Sequence, residues 1–184
     1  MEILSYVLDG ALAHRDDTGG EGGVLVPGEV QWMGAGHGVR HSESNASDTE
    51  PVHFLQIWIQ PDRVNARPGW GSHAFPADER TGRWRPLASP DGADGSLAMR
   101  QDARLHGTLL EAGAAVDHAL APGRRYWLHV ARGRVAVDGP GGPRTLAPGD
   151  ALGFVEEAAT LSVRGAGDTP GGAPADVLLF DLPG

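Results

Sequence analysis

Short apolar runs alternate with Gly, Pro and Asp breaks along the whole chain. In the first part Ile3–Asp9, Ala11–Arg15, Gly23–Val26, Glu29–Met33 and Val52–Ile59 read as strands, because β-branched and aromatic residues between turn formers suit a half-buried pleated surface. The alternation in Val52–Ile59 predicts Leu55, Ile57 and Ile59 on one face and Phe54, Gln56 and Trp58 on the other. From Pro61 to Pro90 the periodicity is lost and Pro, Gly and Arg gather, which reads as a connector with one helical turn at Ala77–Thr81. Strands resume at Leu97–Gln101, Arg104–Leu110, Tyr126–Ala131, Val135–Val137, Ala151–Val155, Thr160–Val163 and Val177–Leu182. No window holds a 3.6-residue apolar period, so the pattern predicts an all-β protein.

A weak internal repeat sharpens that prediction. Tyr6-Val-Leu-Asp-Gly10 is followed by Val24-Leu-Val-Pro27-Gly28-Glu29, and Leu128-His-Val-Ala-Arg-Gly133 is followed by Arg144-Thr-Leu-Ala-Pro148-Gly149-Asp150. Each copy is strand, Gly turn, strand and then a Pro-Gly-acid turn. Proline presets φ at one turn position and glycine accepts positive φ at the next, which reverses the chain between antiparallel strands. Two such units in tandem describe a double β-barrel similar to the cupin kind.

The chain has 184 residues and 40% hydrophobic residues, enough for a real core. Gly 28 and Pro 14 punctuate the sequence without forming a low-complexity repeat. There is no lysine and no cysteine, which excludes Schiff-base, thiolate, iron–sulfur and disulfide chemistry. A formal net charge of -9 with dispersed charges argues against direct binding of nucleic acid. The run from Ile3 to Leu8 is too short for a membrane span or a secretory leader, so the expectation is a cytoplasmic protein without membrane contact.

Eight histidines in such a chain direct attention to imidazole–carboxylate metal chemistry. In an extended segment residues i and i+2 share a face, so His41 and Glu43 of His41-Ser42-Glu43 offer one nitrogen and one carboxylate oxygen to a single ion. The surrounding stretch, Pro27-Gly-Glu-Val-Gln31-Trp32-Met33-Gly-Ala-Gly36-His-Gly38-Val-Arg-His41-Ser-Glu43, closely resembles a signature of the pirin family. Tyr6-Val-Leu-Asp-Gly10, His14-Arg-Asp16, His53-Phe-Leu-Gln56-Ile-Trp58 and Ala88-Ser-Pro-Asp-Gly92 look like bacterial members of that family, as does the stretch from Gly95 to Ala103. The resemblance is specific over residues 6–60 and looser afterwards.

The resemblance implies a bicupin, with residues 1–75 as an N-terminal barrel bearing the metal side and residues 76–184 as a linker and a C-terminal barrel. It also implies one divalent metal, Fe(II) in the usual case, held by two histidines of a His-x-His motif and by the histidine and glutamate of His-x-Glu. On this chain the last pair becomes His41 and Glu43. Glu2 matches the glutamate that follows His-x-His in the family, which places the two histidines before Met1. The first barrel is therefore expected to lack its N-terminal strands, the metal to be held poorly, and the reading frame to continue upstream. By resemblance the activity is that of quercetin 2,3-dioxygenase, an oxidoreductase opening a flavonol ring with O₂, with Glu43 as the group that accepts the substrate proton. The alternative, taken from the eukaryotic members, is a metal-free, non-enzymatic module that binds a regulatory protein partner.

The remaining residues have plainer readings. His37 reads as an exposed loop histidine, with a place facing the pocket as the other role, His14 as structural beside Leu12 and Asp16, and His53 as either a partner of a ligand carboxylate or a satisfied barrel histidine. His73, His106, His118 and His129 show no mutual spacing that suggests a second site. Most of Trp32, Trp58, Trp70, Trp84 and Trp127 read as core, with stacking on a small aromatic substrate as the other role. Gly34–Gly38 lacks the spacing and the following helix of a dinucleotide loop. A glutamate buried without metal needs a compensating donor such as a protonated His41, or itself takes up a proton.

Overall fold

A computed structural model describes residues 1–18, 22–155, 158–167 and 170–184. The described residues are almost entirely β, and the one α-helix, Ala77–Arg80, lies where the sequence predicts a helical turn. Two compact units emerge: Met1–Pro76 with Ala88–Asp102, and Ala77–Leu87 with Ala103–Gly184. Each has the paired antiparallel sheets of a cupin-type barrel, so the bicupin architecture stands.

In the first unit the strands are β1 (Glu2–Asp9), β2 (Leu12–Asp16), β3 (Gly23–Leu25), β4 (Glu29–Gly34), β5 (His41–Asn45), β6 (His53–Ile59) and β7 (Gly69–Ala74). One sheet runs β6-β1-β4-β7 and the other β3-β2-β5. Val7, Leu12 and Leu25 form an apolar cluster in this unit, with Val52 and Phe54 against it. After helix α1 (Ala77–Arg80) comes β8 (Arg85–Ser89), whose end pairs in parallel with β9 (Leu97–Ala98). Segment 88–102 is tied to the rest of the first unit by polar bonds. The Arg100 amide donates to Glu2 Oε2 at 2.9 Å and the Trp32 indole N–H to the same oxygen at 2.7 Å. Arg100 Nη2 donates to the Arg67 carbonyl at 2.7 Å.

The second unit contains β10 (Arg104–Leu110), β11 (Ala115–Leu120), β12 (Arg124–Arg132), β13 (Val135–Asp138), β14 (Arg144–Leu146), β15 (Ala151–Val155), β16 (Ala159–Gly165) and β17 (Ala175–Pro183). The order β15-β12-β17-β10 runs through one sheet, and β11-β16-β13-β14 make up the other. Leu128, Val130, Val135, Leu161, Val163, Val177 and Leu179 are fully buried in its core.

The two Pro-Gly-acid turns are near copies. Gly28 has φ 93 and Gly149 φ 88, values that a side-chain-bearing residue rarely adopts. The Glu29 amide donates to Val26 and that of Asp150 to Ala147, both at 3.0 Å. Each acid then reaches back, with Glu29 accepting from the Val26 amide at 3.0 Å and Asp150 from the Ala147 amide at 2.9 Å.

The expected connector over 61–90 is corrected by the structure, since β7 and β8 lie within it. Strand β7 pairs with β4 along its whole length, from Glu29 opposite Ala74 to Gly34 opposite Gly69. Its sequence, GWGSHA, has no apolar alternation because it is a sheet edge held through backbone hydrogen bonds. Strands β5, β11 and β14, also unread in the sequence, are edges as well.

Candidate metal centre

Strands β2 and β5 are antiparallel neighbours, with His14 opposite Glu43 and Asp16 opposite His41. Residues two apart on a strand share a face, and so do cross-strand partners. The register alone therefore gathers two imidazoles and two carboxylates on one face of the sheet. One potential ligand atom from each of His14, His41 and Glu43 lies within 4.8 Å of the other two. The His14 and His41 ring centroids are 5.9 Å apart.

His14 is the residue that the sequence reading placed among structural ones, and the structure puts it in this cluster. Its side chain is buried, and Nε2 lies 3.0 Å from Asp16 Oδ2. Burial pulls the Asp16 carboxyl upward, but the hydroxyl and amide of Thr18 and the His14 ring outweigh it and hold it below the ordinary carboxylate range. An ionised carboxylate only accepts, so Nε2 carries the proton in the neutral ring and Nδ1 has a free lone pair. That Nδ1 is buried without a hydrogen-bond partner. The signal in the sequence was a second i, i+2 pair, His14-x-Asp16, that pairs in register with His41-x-Glu43.

Glu43 is half-buried and held from two sides. Its Oε1 accepts from the Ser5 hydroxyl at 3.0 Å, and its Oε2 accepts from the Gln56 side-chain amide. Gln56 in turn accepts from the Trp58 indole N–H at 3.2 Å. The expected compensating donor, a protonated His41, is thus replaced by Ser5 and Gln56, because β1 and β6 direct those side chains at the β5 carboxylate. His41 itself is exposed, which leaves one side of the cluster open to solvent. Two imidazole nitrogens and one carboxylate with open positions suit a divalent transition metal, and this is the donor set of non-haem iron oxygenases. The unpartnered Nδ1 fits the same group.

Residues 1–59 match the family model described as Pirin, and residues 86–182 match that of the quercetinase C-terminal cupin domain. A quercetin 2,3-dioxygenase of Escherichia coli K12 is 39% identical over 183 residues, which cover 100% of this chain and 73% of the relative. The chain belongs to the pirin family. A pirin-like protein of Caulobacter vibrioides is 44% identical over 141 residues, and there the match takes in 76% of this chain but only 60% of the relative's length. Among solved structures, the Escherichia coli bacterial pirin YhhW in complex with nickel(II) superposes with a TM-score of 0.84 at 36% identity. It is covered over 72% of its length by 100% of this chain.

The other histidines of this pirin-family chain lie outside this cluster. His37 is exposed in its loop, as expected. His53 follows neither expectation: its side chain is 62% exposed, with Nδ1 3.9 Å from Asp9 Oδ2, because it opens the edge strand β6. In the second unit His106 and His118 come together with ring centroids 5.5 Å apart, which their spacing in sequence did not suggest. Burial, then the His118 charge, pushes the His106 ring down to about 4, and burial also lowers His118. Among the described residues only His14, His41 and Glu43 form a three-donor group. The tryptophans are less buried than expected: Trp58 and Trp127 are exposed, while Trp32, Trp70 and Trp84 are half-buried. No described helix is long and apolar enough to cross a membrane.

Proposed function

We propose that this chain is a metal-dependent cupin that opens the ring of flavonol-type aromatics with O₂, in the manner of a quercetin 2,3-dioxygenase. The observation that carries the reading is the convergence of His14, His41 and Glu43 within 4.8 Å. It is supported by the quercetin 2,3-dioxygenase name of the Escherichia coli relative and by the nickel(II) bound to YhhW. Fe(II) is the metal we assign, since two histidines and one carboxylate are the ligands ferrous oxygenases use. When bound, the ion supplies Lewis acidity toward the hydroxyl-keto oxygens of the substrate and a route for electrons to O₂.

The rest falls to the protein. His14 would hold the metal through Nδ1, with Asp16 fixing the ring and its tautomer through Nε2. His41 approaches from the open side, where the substrate enters. Ser5 and Gln56 fix the rotamer of Glu43, so its carboxylate faces the same space as the imidazoles. A carboxylate in that place can take the proton of the substrate hydroxyl as the ring binds.

Incubation of the purified chain with ferrous iron and quercetin in air should bleach the flavonol absorbance, and Glu43→Gln should slow the bleaching by about a hundred-fold or more. Bleaching that does not depend on added metal, or none at all, would remove the dioxygenase reading.

A further inference from the structure

Beside the metal centre lies a groove of about 610 Å³ lined by Asp17, Thr18, His37, Arg67 and Trp70, together with small backbone-lined positions. That volume is in the range of sites for small aromatic molecules. Its walls are fastened by the backbone. Gly36 has φ 49, and a Cβ there would meet the Ala66 carbonyl oxygen at 2.1 Å, so only glycine lets the two loops approach. The His37 amide donates to that carbonyl at 2.9 Å. Arg100 Nη2 holds the carbonyl of Arg67 itself at 2.7 Å. On the other side, Asp17 and Arg40 are joined by two bonds of 3.0 Å, one of which uses Asp17 Oδ1.

Trp70 links this groove to the metal centre. Its ring lies 5.4 Å from the His14 ring and also lines the groove, so a planar ring stacked there would lie next to the metal side. Arg67 is exposed in the groove and has no ion-pair partner among the described residues. His37, also lining the groove, adds a second nitrogen donor. The one carboxylate in the lining, Asp17, has its Oδ1 engaged by the Arg40 amide. A guanidinium fork beside an aromatic platform recognises a flat ring carrying a carboxylate or an ionised phenol.

We infer that this groove is a specificity subsite for the anionic, planar end of an aromatic substrate, with Trp70 as the stacking platform and Arg67 as the anion contact. The inference rests on the reading of the chain as a cupin acting on aromatic substrates, and it narrows that substrate class to ring systems bearing negative charge away from the metal-binding oxygens. A net charge of -9 repels anions in general, so a preference for the charged ligand has to come from local recognition.

Titration calorimetry with 2-naphthoate and its neutral counterpart 2-naphthamide, on the full chain in chelator without added metal, tests this separately from the metal. The acid should bind about ten-fold tighter than the amide, and Arg67→Gln should bring the acid down to the amide while leaving the amide unchanged. Trp70→Leu should weaken both. Equal binding of acid and amide, binding of neither, or an unchanged acid affinity in Arg67→Gln would overturn the inference. A parallel ferrous-iron titration of the wild-type chain decides the metal reading by itself. Naphthoate preference without iron binding would remove the metal reading and leave the groove.

Discussion

His14 shows how much a single side chain depends on what lies across the sheet. Seen along its own strand it is one more inward histidine, between Leu12 and Asp16. Across the sheet it faces Glu43, and its proton is committed to Asp16. The positioning role proposed for Asp16 makes a separate prediction. Asp16→Asn can present its amide to Nε2 and favour the other tautomer, which places the proton on Nδ1. Metal affinity should then fall about ten-fold to a hundred-fold, as for other residues that orient a ligating histidine. Competition with a chromophoric chelator measures this, and an unchanged affinity would take Asp16 out of the centre. His41 and Glu43 were legible because i, i+2 spacing acts within one strand. His14 was not, because its relation to them exists only through pairing.

At the scale of elements, chemistry and punctuation were easier to read than strand edges. The two Pro-Gly-acid turns announced themselves, since their geometry is set by φ preferences that travel with residue type. Gly149 gives a clean test. Its φ is 88, yet a Cβ there meets no atom within 4 Å, so the cost of Gly149→Ala is conformational alone. Urea unfolding should show a loss of about 1–2 kcal/mol, and no loss would mean that the turn relaxes to another type. Strands β5, β7 and β14 carry little apolar alternation, because each lies at a sheet edge and is held by its neighbour's backbone, whereas β11 does place Val116 and Leu120 in the core. One of them, β5, carries the only His-x-Glu of the chain. An edge strand whose partner faces are polar is free to hold functional side chains, since packing demands little of it.

For the whole molecule, stability should depend on pH through His106 in the second unit. Its folded value near 4 lies below the ordinary 6.5, so the unfolded chain takes up a proton before the folded one does. The stabilisation is therefore complete above pH 6.5, falls as pH drops toward 4 and changes no further below that. The loss over this window amounts to about 3 kcal/mol. His106→Gln, with fluorescence-monitored denaturant unfolding between pH 7 and 4, should flatten that part of the stability curve. A variant with the wild-type pH dependence would assign the effect to other groups. The sequence by itself determined the all-β class, the tandem repeat and its turns, the His41–Glu43 pair and the family, because each is written in local spacing or residue type. Tertiary structure alone decided that His14 and Asp16 join that pair, that Ser5 and Gln56 hold Glu43, and that residues 88–102 return to the first unit. These depend on register and on bonds between residues far apart in the chain. No local pattern encodes them, because pairing two strands constrains their side chains only once the strands have met.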